Sequence, residues 1–193
     1  MAGSDLNSKG ETAAQPGHEQ SPILLRAGFR HAFFTRLGGV SEGPFASLSF
    51  STAVGDDPRH VDENLRRAGA ALGVPAEHVL YLSQVHGRES QFYRSPRSRA
   101  ETITLEGDCI GGNERTNAYG VRSADCVPIL LADEVSGAVM AIHAGWRGVA
   151  YGAVEAGVQR LRSEVGDAGA LLAAIGPHIS KAAFEVSEQV AAP

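Results

Sequence analysis

Cysteine is scarce in this chain. Only Cys109 and Cys126 occur in 193 residues, too few for a disulfide scaffold and compatible with a reducing cytosol, although one bridge between them stays open. A surplus of basic charge is also lacking. Seventeen Lys and Arg stand against 22 Asp and Glu, for a net charge of -5 and a pI near 5.8. That balance argues against a dominant nucleic-acid surface, which needs clustered cations. No stretch approaches the roughly 20 apolar residues of a membrane span. The opening MAGSDLNSKGETAAQPGHEQ has no apolar run before Ile23 and so does not read as a secretory signal. No internal repeat or heptad pattern is visible. A cytoplasmic protein is the expectation.

What is present suffices for one core. A hydrophobic content of 43% in a chain of this length fits a single compact domain. Residues 1–21, rich in Gly, Ser, Gln and charge, read as a disordered tail, leaving residues 22–193 as the domain. His31–Thr35 reads as a first strand, followed by the Gly-rich loop Arg36–Pro44, whose glycines let backbone approach a ligand. Asp56-Asp57-Pro58 opens a helix with Val61, Leu65, Ala68 and Leu72 at helical spacing, closed by Gly73. Strands are expected over Val79–Val85, Tyr119–Arg122, Val127–Ala132, Gly137–Ile142 and Leu171–Ile175, with a basic loop over Arg94–Arg99 and a helix over Tyr151–Val165. Mixed in this way, strands and helices point to an α/β or α+β domain.

Three residues stand where apolar runs give way to turns: His86 in Gln-Val-His-Gly, Cys126 in Ala-Asp-Cys-Val-Pro, and His143 in His-Ala-Gly-Trp-Arg-Gly. Two imidazoles and a thiolate suit zinc, and three protein donors leave a coordination position open. No two of them lie within one helical turn or one zinc knuckle, which excludes a zinc finger. A plainer reading stays open beside this one: Cys126 as a buried small hydrophobe and each histidine as a satisfied polar group. Asp125 and Asp108 are candidate acceptors for a ligating imidazole, or turn caps. Arg147, at a strand-to-helix junction, and Arg36, on the Gly-rich loop, are candidate anion binders, or ordinary surface ion-pair formers. Cys126 as nucleophile with His143 as base, in a metal-free hydrolase, is another enzyme reading of the same residues.

Taken in order, Phe34-Thr35-Arg36 with Gly38-Gly39-Val40-Ser41, Val54-Gly55-Asp56-Asp57, Gln84-Val85-His86-Gly87, Ala124-Asp125-Cys126-Val127-Pro128, His143 to Gly148 and Ile175-Gly176-Pro177 resemble the laccase-domain or polyphenol oxidase family, also called the purine nucleoside phosphorylase family. The resemblance covers about residues 30–187. It implies His86, Cys126 and His143 as ligands of zinc, with copper as the alternative, in an α+β fold arranged as a four-layer α/β/β/α mixed sandwich. It further implies phosphorolysis of adenosine, inosine, guanosine and methylthioadenosine, and deamination of adenosine to inosine. Purine nucleosides and phosphate are then the partners. Cys126, His143 and Asp125 fall in catalytic positions, with Arg36, Arg147 and Trp146 on substrate or phosphate; Phe45 is a second stacking candidate and His178 a second proton carrier.

The chain departs from the family pattern in three places. His178–Val186 lacks a usual cysteine pair, Ser-Leu-Asn becomes Ser47-Leu48-Ser49, and Cys109 replaces a small residue. The family pattern also runs on past residue 193, so a C-terminally shortened domain is expected. Copper-dependent phenol oxidation and an inactive zinc-holding module remain as further readings.

Overall fold

The computed structural model describes residues 15–188. In chain order the elements are β1 (His18–Glu19), α1 (Pro22–Arg26), β2 (Phe33–Phe34), α2 (Pro58–Leu72), β3 (Val79–Leu80), β4 (Ser90–Tyr93), α3 (Arg99–Thr102), β5 (Cys109–Gly112), β6 (Ala118–Tyr119), β7 (Val127–Asp133), β8 (Val139–Ala144), α4 (Trp146–Ala150), α5 (Ala153–Val165) and β9 (Leu171–Ile175). Among the described residues, no helix is long and apolar enough to cross a membrane.

Strands β4-β5-β8-β7-β9 form one mixed sheet. Alternation along its central strands sends side chains to two faces. Cys109, Ile129, Leu131, Met140 and Ile142 meet Val154, Val158 and Leu161 of α5. Ile110, Leu130 and Ala141 meet Leu80, Leu82 and Tyr119, on and beside the parallel β3–β6 pair. Beyond that pair, α2 packs Val61 and Leu65 against Tyr81 and Val79. The order of layers is therefore α5, the five-stranded sheet, the β3–β6 ladder and α2, which is the mixed α/β arrangement expected.

Helix α2 behaves as its sequence dictates. Asp57 caps it by accepting from the Arg59 amide, Pro58 opens it, and Gly73 ends it in the left-handed region at φ 72°. Its fully buried Asn64 fastens the Gly-rich loop, accepting from the Val40 amide at 2.9 Å and donating to Ser41 Oγ at 2.8 Å and the Ser49 carbonyl at 2.8 Å. Leu161 of α5 has no exposed surface and lies centrally under the sheet. Leu161→Ala is expected to lower unfolding free energy by about 2–5 kcal/mol, read from urea denaturation, because little can collapse into the void.

Several expectations need adjusting. Only residues 15–21 of the expected tail fall among the described residues, and there His18–Glu19 pairs antiparallel with Phe33–Phe34. The expected strand over Val79–Val85 shortens to β3, after which the chain makes a single bridge from Ser83 to Glu106. The basic loop expected over Arg94–Arg99 does follow β4 directly, and only its last residue, Arg99, is taken into α3. The helix expected from Tyr151 starts at Ala153, because Gly152 at φ 81° separates it from α4. Strand β5, at the heart of the sheet, carries no sequence signal, since half of it is glycine. A Cβ at Gly111 would stand 2.3 Å from the Val139 carbonyl, and one at Gly112 would stand 2.3 Å from Tyr119 Oη. Packing demands there what strand propensity disfavours.

Candidate metal centre

Strand register brings the site together at one end of the sheet. In the β5–β8 pairing Cys109 lies opposite Ile142, so the next residue back, Asp108, reaches the level of His143, whose amide donates to the Asp108 carbonyl at 2.8 Å. In the β7–β8 pairing Val127 lies opposite Ala144, which carries Cys126 to the level of Gly145. His86 arrives from a loop between β3 and β4. That loop is tied to the Cys126 turn by Gln84, whose side chain accepts from the Arg122 amide and donates to the Arg122 carbonyl, both at 2.7 Å. Ser123 Oγ closes the same turn by donating to the Cys126 carbonyl.

One ligand atom each from His86, Cys126 and His143 lies within 4.8 Å of the other two. The two imidazoles meet edge to face, their ring centroids 4.9 Å apart. Exposure grades across the trio: His86 is exposed, Cys126 half-buried and His143 buried. An ion held there would be reachable from solvent on the His86 side while its far ligand is fixed in the core. Gly145 is the floor of the site. A Cβ on it would stand 2.9 Å from His86 Cδ2, 3.1 Å from Cys126 Sγ and 3.8 Å from His143 Cε1, so only glycine lets the three side chains close in.

The carboxylate beside the trio is Asp108. Fully buried, it receives His143 Nδ1 at 2.7 Å and the backbone amides of Val85, His86 and Gly87 at 3.2, 3.1 and 2.7 Å. Burial works to raise its pKa, but the bonds from His143, Gly87 and Val85 outweigh burial and hold it below the ordinary carboxylate value. Asp125, the other sequence candidate, is exposed, and the contact it contributes here is its carbonyl, which accepts from the Ile179 amide at 3.0 Å. The Cys126 thiol is pushed up by burial first and then by the charges of Asp125 and Asp108. A metal binding there must displace a proton. Cys109, buried under α5, is pushed up to about 12 by burial and takes no part in the site.

The remaining candidates are distributed around this centre. Arg147 and Trp146 open α4, directly beyond Gly145. The guanidinium sits over the indole at 4.4 Å and both side chains are exposed. Arg36 is spent on its own loop, where Nε and a terminal nitrogen donate to the Ala46 carbonyl at 3.0 and 2.6 Å; Phe45 is half-buried on that loop. His178 is exposed, with Nδ1 at 2.8 Å from the Gly176 carbonyl, in a segment that the Ile179 bond lays along the Cys126 turn. Sequence reasoning assigned no role to Gln84 or Gly145. A glutamine two residues before a candidate ligand and a glycine two residues after another were the available signals, but neither says what it touches.

A model of the family described as multi-copper polyphenol oxidoreductase laccase matches residues 30–193. The chain belongs to this family. Curated members similar to it include purine nucleoside phosphorylase ORF3 of Streptomyces griseus, 37% identical over 91% of this chain and 70% of its own, and a purine nucleoside phosphorylase of Deinococcus radiodurans, 38% identical over 88% of this chain and 65% of its own. Among solved structures of the family, YlmD from Geobacillus stearothermophilus superposes with a TM-score of 0.74 at 34% identity, covering 82% of this chain and 61% of that one. A hypothetical protein YfiH from Bacillus licheniformis gives the same TM-score at 28% identity, over 83% and 62%. The chain thus spans about two thirds of the length of these family members.

Proposed function

We propose that this chain is a cytoplasmic, zinc-dependent enzyme of purine nucleosides, with His86, Cys126 and His143 as the metal ligands. The observation that carries the reading is the approach of those three donor atoms to within 4.8 Å. Two neutral imidazoles and a thiolate are a borderline-soft set that zinc accepts, and three protein donors match a site that keeps a position for substrate. A multicopper centre needs further histidine clusters. This trio is the one gathered group of three His, Cys, Asp or Glu side chains among the described residues. A single blue-copper site would draw on the same two imidazoles and thiolate, with a weak axial methionine, glutamine or backbone oxygen. Zinc is the choice here because phosphorolysis and deamination call for a redox-silent Lewis acid with an open position. The substrate class is taken from the relatives named purine nucleoside phosphorylase.

Bound zinc would supply Lewis acidity at an open coordination position. The protein's own groups do the rest. Trp146, exposed and with the Arg147 guanidinium over one side of its indole, would stack a purine on the other side, and that guanidinium offers a forked donor to phosphate. In phosphorolysis a phosphate oxygen bonds to C1′ of the ribose as the C1′–N9 bond breaks. The electron pair goes to the base, which takes its proton from a donor such as His178. In deamination a water oxygen bonds to C6 of adenine, the C6–N6 bond breaks, and Asp125 carries the proton that lets ammonia leave.

Incubation of purified protein with adenosine, with and without phosphate, separates the two routes. Adenine with ribose 1-phosphate marks phosphorolysis and inosine marks deamination. If neither product forms with zinc-loaded protein, the reading is wrong.

A further inference from the structure

We propose that Asp108 is the positioning residue of the metal centre, a single carboxylate that sets both histidine ligands at once. The inference rests on the zinc reading above but concerns how the site is held in shape before metal arrives.

Two constraints meet at this side chain. His86 has φ 59°, a left-handed conformation that costs a non-glycine residue about 1 kcal/mol or more and needs support from its surroundings. The support is an array of three successive amides, from Val85, His86 and Gly87, all converging on the Asp108 carboxylate. Such a concave set of N–H groups is an anion receptor, and here the chain fills it with its own anion. The same carboxylate lies 2.7 Å from His143 Nδ1. An ionised carboxylate can only accept, so a neutral imidazole at this place carries its proton on Nδ1. That leaves the Nε2 lone pair as the donor presented to a metal.

His86 and His143 come from distant parts of the sequence, and Asp108 bonds to the backbone of one and the ring of the other. With zero exposure, the carboxylate has no water to compete for these bonds. Its two oxygens accept all four. The Asp108→Asn change would keep one accepting oxygen and turn an NH2 toward donors, so either the His143 bond or part of the amide array must fail.

The test combines one variant with one spectrum of the unaltered protein. Zinc affinity is measured by chelator competition for wild type and Asp108→Asn, with circular dichroism as the fold check. Nitrogen-15 spectra of the imidazoles are recorded on metal-free wild type. The expectation is at least a tenfold weaker zinc affinity in the variant, within the ~10–100-fold worth of such outer partners, and a His143 ring protonated at Nδ1. A folded Asp108→Asn protein that loses less than tenfold overturns the proposal. So does a His143 ring carrying its proton on Nε2, which decides the matter even when the variant does not fold. Wild type that binds no zinc instead overturns the metal reading, while the imidazole spectrum still judges the role of Asp108.

Discussion

Wild type is expected to take up one equivalent of zinc and Cys126→Ser to hold none, with the fold left in place. The thiolate is the only anionic donor among the three, and zinc draws much of its affinity for such a site from sulfur. A serine hydroxyl is far more reluctant to lose its proton, and its oxygen sits closer to Cβ than sulfur does. Two imidazoles alone are then left to hold the ion. The loss should exceed the ~10–100-fold attributed to partners outside the coordination shell. Cys126 is half-buried in a turn whose hydrogen bonds run through backbone atoms, Ser123 and Gln84 rather than the thiol, so exchanging sulfur for oxygen disturbs little else. Cys109→Ala is the companion variant: its thiol lies under α5, away from the trio, and zinc should stay. Metal analysis after equilibration with zinc reads both, and a Cys126→Ser protein that keeps its full equivalent would show the trio is not the site.

The second large effect belongs to a residue with no side chain. Gly145→Ala should cost zinc affinity about as heavily as loss of a ligand. The added methyl would stand 2.9 Å from the His86 ring and 3.1 Å from the Cys126 sulfur, and both must retreat to restore van der Waals contact. Metal–ligand distances in a well-formed site tolerate only about ±0.2 Å. Two of three donors moving by several tenths of an ångström therefore leave a distorted site. Gly145 has φ -73°, conformationally ordinary, so backbone strain does not confuse the outcome. Gly120→Ala serves as reference, because its nearest neighbour would be the Leu80 carbonyl at 3.9 Å. Chelator competition on the two proteins, alongside their melting temperatures, separates a local from a global effect. Equal zinc affinity in both variants would remove Gly145 from the site.

Much of the fold is legible in the order of residues because it depends on near neighbours. Helix α2 is written in Asp57, Pro58, the spaced apolar residues and Gly73, and each acts within a few positions of itself. Strands β7 and β9 are readable as short apolar runs ended by turns. Strand β5 is not, since its glycines answer to Val139 and Tyr119, which lie outside the strand and further along the chain. His86 reads as the end of a strand, whereas its backbone turns left-handed because a carboxylate far along the chain, at Asp108, gathers its amides. The choice between Asp108 and Asp125 was open for the same reason. Adjacency to Cys126 speaks for Asp125, while the β5–β8 register, which decides the matter, appears only on pairing.

The order of residues names the kinds of donor available, two imidazoles and a thiol at the ends of apolar runs, and the elements whose signals are local. That these donors meet, which carboxylate stands beside His143 and why position 145 must be bare emerge only when the strands pair and pack. Those outcomes depend on strand register and on distances between segments remote in sequence, and period, propensity and composition carry no information about either.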